Sequence, residues 1–268
     1  MVAIALHSIV PVRAEAREGA EQTTQMLFGE ICTVLEEKKR WNRIKLHLDG
    51  QEGWVDAKMI TSMKAEEYKA HHLSLQTAAV VAFPITYAVS ENNGQTLPLT
   101  AATRLPNYQD GRFEVLGVGF RIDPAMVLTK PKEMNQENLL QAVRFFINVP
   151  YLWGGKNAMG MDCSGFTQVI MSLFGKKLKR NASEQVTQGR KISSIRNIQA
   201  GDLLFFDHQG LNDGAANPTR VTHVGIAIDS ERVIHCSGRV KVEKLDGTGI
   251  FSAEQNQYTH HLASIRRM

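Results

Sequence analysis

Cysteine is scarce in this 268-residue chain: Cys32, Cys163 and Cys236 are the only three, so they cannot all pair with one another. That excludes a disulfide-stapled scaffold and leaves a reducing compartment or a working thiol. Long apolar runs are missing too. The longest, such as Ala78–Ala82 and Val224–Ile228, are strand-sized, far short of the roughly 18–20 residues of a membrane helix. Charge of one sign is not in excess, with 31 Lys and Arg against 27 Asp and Glu. A dispersed +4 argues against nucleic acid as a partner. The opening segment has no basic stretch ahead of its apolar residues, which His7, Ser8 and Pro11 interrupt. It reads as a strand rather than a signal peptide, and the chain as cytoplasmic, with a secreted or periplasmic form whose leader has been removed as the alternative, and with no membrane association.

What is present suits a globular protein, with 43% hydrophobic and 22% charged residues. The length exceeds one typical domain of about 100–150 residues and predicts two or three. Residues 1–62 alternate around Ile31–Leu35 and Ile44–Leu48, with Asp49-Gly50 and Gly53-Trp54 as turns, which predicts a small barrel of short strands. Residues 63–72 carry a polar, helix-compatible connector, long enough to carry the next run of strands away from the first barrel. Residues 73–130 return to short strands punctuated by Asn92-Asn93-Gly94 and Asp110-Gly111, a second barrel. From residue 131 the pattern changes. Leu139, Leu140, Val143, Phe146 and Ile147 have helical spacing, as do Phe166, Val169, Ile170, Leu173 and Phe174. Strands at Asp202–Phe206, Val221–Ile228 and Val233–Ser237 follow. Helices before consecutive strands predict an α+β domain over 131–268.

Cys163 opens the second of these helices, behind Asp162 as N-cap. Unpaired N–H groups and the helix dipole there favour thiolate. In the strand hairpin Val224, Ile226 and Ile228 are bulky, whereas His223, Gly225 and Ala227 are polar or small. A three-residue loop, Asp229-Ser230-Glu231, then places His223 opposite Ser237 on the face that also carries His235. The small Gly225 and Ala227 would let the Cys163 helix pack on that face. The pattern fits a Cys–His–His relay, with His223 as base and His235 orienting it. Two unrelated strand histidines and a buried cysteine fit it as well. Zinc is disfavoured, since there is no CxxC or HxxxH pair and strand parity turns Cys236 away from His235. No metal or organic cofactor is expected. His71-His72 and His260-His261 read as solvated surface, and Cys32 as core.

Asp162-Cys163-Ser164-Gly165-Phe166, Gly201–Phe206, His223-Val224-Gly225-Ile226 and Val233–Ser237, with Pro150–Gly155 upstream, resemble the NlpC-type cell-wall cysteine peptidases. The barrels are similar to the bacterial SH3-like domains that accompany one branch, through Leu27-Phe28-Gly29-Glu30, Trp41, Gly53-Trp54-Val55 and Leu105–Tyr108. The resemblance implies a papain-like fold over 131–268 behind two SH3-like barrels. It implies hydrolysis of murein stem peptides after γ-D-glutamate and before an L-diamino acid, on substrates with a free N-terminal L-alanine. Cys163 is then the nucleophile, His223 the base, His235 the third member and Tyr151 a donor to the oxyanion. Asp162, Ser164, Trp153, Arg180 and Asn181 fall where the family lines its substrate pocket, with Asn181 and Ala182 replacing an acid and a serine of close relatives. Glu21 stands near the position of a first-barrel acid that closes the amine pocket. A papain-like amidase or acyltransferase, and a non-enzymatic wall-binding adaptor, are the competing functions. No obligate protein partner is evident.

Overall fold

Val10 and Val12 alternate with half-exposed neighbours, the period of a strand with one buried face. The computed structural model, which describes residues 1–207 and 220–268, extends this pattern through two units. The first comprises Met1–Pro131 together with Trp153–Ala158. It opens with strands β1 (Val2–Ala5), β2 (Ile9–Arg13), β3 (Gln22–Leu27), β4 (Ile31–Lys38), β5 (Trp41–Leu46), β6 (Glu52–Asp56) and β7 (Ile60–Ser62). They form one sheet in the order β3-β2-β6-β5-β4-β1-β7. Cys32 lies in its core beside Val10, Met26, Ile44 and Val55, and burial pushes its thiol up to about 12. Gly53 has no alternative at its position, because a Cβ would sit 2.5 Å from the Val12 side chain and 2.8 Å from the Arg13 carbonyl oxygen.

Helix α1 (Ala65–Ser74) follows, then β8 (Ala79–Val81), β9 (Ile85–Ser90), β10 (Thr96–Thr100), β11 (Arg104–Leu105), β12 (Arg112–Val115), β13 (Val118–Ile122) and β14 (Val127–Leu128). These make sheets β10-β9-β13-β12 and β11-β8-β14. Asp110 and Gly111 both have positive φ (46° and 84°) between Gln109 and Arg112, which exchange both backbone hydrogen bonds. This is the mirror-image turn that Asp-Gly favours.

The connector does not carry the second set of strands away. Ile4, Phe28 and Ile31 belong to the same buried cluster as Leu99, Phe113 and Phe120. The Phe28 ring meets Phe120 edge-on at 5.5 Å, and Phe113 stacks on Phe120 at 5.1 Å. Modules of about 60 residues bury too little surface alone, and sharing a core relieves that deficit. The helix is pinned as well. His71 is buried rather than solvated, its Nε2 bonded to the Gly29 carbonyl at 2.9 Å.

The second unit comprises Lys132–Leu152 and Met159–Met268. Helix α2 (Gln136–Val143) is capped by Asn135, which accepts from the Asn138 N–H. It tightens into a 3₁₀ turn through Phe146. Leu139, Val143 and Phe146 are buried as their spacing predicts, whereas Leu140, on the other side of α2, and Ile147, past the 3₁₀ turn, are exposed. Helix α3 (Cys163–Leu173) starts on Asp162, whose carboxylate accepts from the Gly165 N–H at 2.7 Å. It ends at Gly175, where φ is 72° and the Lys176 N–H returns to Met171 O. Helix α4 (Ala182–Gln185) is a single turn.

The short strands β15 (Lys156–Asn157, in the first unit), β16 (Gly160–Met161) and β17 (Arg190–Lys191) precede the main sheet. That sheet contains β18 (Leu203–Asp207), β19 (His223–Ala227), β20 (Arg232–Ser237), β21 (Arg239–Leu245), β22 (Gly249–Ser252) and β23 (Gln257–Arg267). Because β23 pairs with both β18 and β22, the six close into an antiparallel barrel, with β17 on the outer side of β23. Leu204, Phe206, Ala227, Val233, Leu245 and Ile250 fill it. Among the described residues no helix is long and apolar enough to cross a membrane.

Candidate active site

Strand parity and the hairpin loop place the two histidines. Gly225 pairs with His235 and Ala227 with Val233, and the Ile228 N–H closes on Arg232 O. This is the register that the three-residue loop predicts. His223 and His235 share a face with Ala227 and Val233, so they line the inside of the barrel above its apolar filling. Their rings meet edge to face, and His223 Nε2 lies 2.8 Å from His235 Nδ1.

Helix α3 packs on β19 and β20 but contributes nothing to the cluster inside the barrel. It lies on the opposite face, that of Val224, Ile226 and Cys236, and Cys236 Sγ bonds Met161 O just ahead of it. The expected packing on the small residues of the histidine face is therefore corrected. A helix buried all round needs a bulky apolar surface, and the other face supplies it. The Cys163 thiol then lies near the start of β19, where the backbone N–H groups of Val224 and Ser164 favour its ionisation. Burial pushes this thiol up to about 12, assisted by the Asp162 charge and opposed by those N–H groups and Arg180. Burial thus outweighs the helix-start effect that favours thiolate, and ionisation calls for a base to take the proton.

The chain of contacts continues past His235. Its Nε2 lies 2.8 Å from Glu243 Oε2 on β21, a residue that sequence reasoning missed. Parity carried one hairpin further would have found it, because Glu243 pairs with Val233 on the same face. Burial opposes its ionisation, yet hydrogen bonds from His235 and Lys241, with the His235 charge at the acid pH where the carboxyl titrates, bring it down to about 2. His260, read as solvated, is only 2% exposed and lies 4.3 Å from His223, centroid to centroid. It is inside because β23 closes the barrel. The three imidazoles offer ligand atoms within 4.8 Å of one another and could share a metal ion. In the structure His223 Nε2 and His235 Nδ1 bond each other instead.

Tyr151 is held protonated, first by burial and then by the neighbouring Cys163 and Asp162 charges, and so remains a donor. Asp162, Ser164 and Arg180 form a closed network. The guanidinium, 1% exposed, meets Asp162 Oδ2 at 2.5 Å and Oδ1 at 3.0 Å, and Ser164 Oγ at 2.8 Å. Asp162 thus caps α3 and neutralises Arg180. Asn181 caps α4 and donates to Glu184 Oε2 at 2.8 Å, which puts a carboxylate beside the amide that stands in for an acid. Trp153 falls in the first unit, 59% exposed, and its indole N–H donates to Glu21 Oε1 at 2.5 Å. The same segment is tied down by Gln25, which accepts from the Lys156 N–H, and by Lys156 Nζ on Glu30 at 3.2 Å.

Residues 148–264 match the NlpC/P60 family, and residues 12–60 match the bacterial dipeptidyl-peptidase SH3 domain. The chain is 27% identical over 256 residues to the gamma-D-glutamyl-L-lysine dipeptidyl-peptidase of Bacillus subtilis (strain 168), covering 91% of this chain and 80% of that one. It is 25% identical over 229 residues to the protein of that name from Bacillus cereus (strain ATCC 10987 / NRS 248), covering 79% and 66%. The crystal structure of an NlpC/P60 family protein from Bacillus cereus ATCC 10987 matches 100% of this chain and 99% of its own, with a TM-score of 0.81 at 20% identity.

Proposed function

Taking as premise that this chain is an NlpC/P60 peptidase with an N-terminal bacterial SH3 domain, we propose that it is a cysteine endopeptidase of murein stem peptides. Its bond is the one between γ-D-glutamate and an L-diamino acid, in peptides with a free N-terminal L-alanine. The observation that carries the chemistry is the thiol at the start of α3 with the His223–His235 pair joined at 2.8 Å. The relatives' names support the substrate class.

Cys163 Sγ attacks the γ-glutamyl carbonyl while His223 takes the thiol proton, and Tyr151 donates to the oxyanion. His223 returns that proton to the departing amine of the diamino acid, which leaves a thioester. Water then attacks the thioester with His223 as base, and the proton ends on Sγ. Thiol chemistry of this kind needs no metal. An adaptor with a degenerate domain would have no reason to keep both a thiol at the helix start and a hydrogen-bonded His223–His235 pair. The test is product mass from L-Ala-γ-D-Glu-diamino acid peptides with free and acetylated amines. Release of the L-Ala-γ-D-Glu dipeptide from the free-amine peptide alone is expected. Equal cleavage of the blocked peptide, or a Cys163→Ala variant that still turns over, refutes the reading.

A further inference from the structure

The hydrogen bonds inside the barrel mouth leave little choice of proton positions. A carboxylate accepts only, and a neutral imidazole offers one donor and one acceptor. Glu243 therefore requires the proton of His235 on Nε2, at 2.8 Å. His235 Nδ1 is then an acceptor, so His223 must carry its proton on Nε2, at 2.8 Å. The proton of neutral His223 is thereby placed on Nε2, so its Nδ1 is the basic nitrogen.

We propose that Glu243 is a positioning residue of the relay: it sets the tautomers of both histidines so that His223 can take the Cys163 proton, and its charge holds the imidazolium that results. This rests on the reading of Cys163 as nucleophile. Every element around the carboxylate is consistent with it. His235 faces it from β20 at 2.8 Å, and Lys241 on its own strand reaches Oε1 at 3.2 Å. Glu254 in turn lies 3.8 Å from Lys241 Nζ and offsets part of that charge. On the far side His260 from β23 stacks on His223, 4.3 Å between centroids, and Phe206 from β18 meets the same ring at 6.1 Å. Glu243 brings a negative charge bonded directly to His235. When His223 becomes cationic, one imidazole separates it from that charge. An amide in place of the carboxylate presents either an oxygen or an NH₂ to His235. The first keeps the tautomers without the charge, and the second reverses them and places a proton on His223 Nδ1.

The test is the pH dependence of iodoacetamide alkylation of Cys163 in the full chain, read by mass on its peptide, with buried Cys32 and Cys236 as internal references. Glu243→Gln should slow alkylation at neutral pH about tenfold and move the profile up by about one pH unit. A profile coincident with that of the parent overturns the proposal. A second measurement needs no variant. Nitrogen NMR of histidine-labelled parent protein should show His223 and His235 both protonated on Nε2 at neutral pH, and a proton on Nδ1 of either overturns it. Neither experiment uses a peptide, so an error in the substrate reading is told apart from an error here.

Discussion

Replacing Glu243 by glutamine should cost the second unit up to about 3 kcal/mol at neutral pH and almost nothing near pH 2. The side chain is only 7% exposed. Burial alone would raise its carboxyl, but hydrogen bonds from His235 and Lys241, with the charge His235 carries at acid pH, prevail and bring it from 4.5 to about 2. A drop of that size is worth about 3 kcal/mol. The sign follows from which state binds the proton first. With the folded value below the unfolded one, the unfolded chain protonates first as pH falls. The stabilisation is therefore complete above about 4.5, declines as pH falls toward about 2, and is gone below. Glutamine does not titrate, so titrations common to both proteins cancel in the difference. Tryptophan fluorescence reports the wrong part of the molecule, because Trp41, Trp54 and Trp153 all belong to the first unit. Hydrogen exchange of β20 and β21 amides, in parent and variant from pH 6 to pH 2.5, reads the right one. A gap that stays constant over that range, or is absent at pH 6, refutes the reasoning.

Cys163→Ala and His223→Ala should each abolish peptide turnover with unchanged circular dichroism, and His235→Ala should be less severe because water can partly replace an orienting group; chelator should leave the parent's rate unchanged, and loss restored by zinc would overturn the thiol assignment. Tyr151→Phe should lower kcat by about a hundredfold or more with little change in KM, the effect of removing one oxyanion donor. Arg180→Met strands the Asp162 carboxylate in the interior and should destabilise the second unit by about 3–5 kcal/mol, read by hydrogen exchange of α3. Phe28→Ala removes a ring from the shared core and should cost about 3–5 kcal/mol. Its thermal unfolding should still take residues 1–131 through one transition, and two separate transitions would refute the shared core.

Local periodicity settled a good part of this protein in advance. Asp162, Cys163 and Gly175 mark a helix start, its first residue and its stop within one short segment, so capping chemistry alone locates the thiol. The Asp229-Ser230-Glu231 loop and the alternation on either side set the His223–His235 register, because a side-chain period of two and an odd loop leave one solution. The Asp110-Gly111 turn was legible for the same reason. Other features depended on contacts between distant segments. Which face of β19 receives α3 was decided by where bulky apolar area was available, not by where small residues made room. His71 and His260 look like surface residues in sequence, yet Gly29 and the closure of β23 on β22 bury them. Glu243 reaches His235 only once the next hairpin is in register, and Arg180 is turned inward only when Asp162 is there to meet it. Burial of a polar group is compensated by a partner that can be anywhere in the chain, and only the folded backbone brings that partner to about 3 Å.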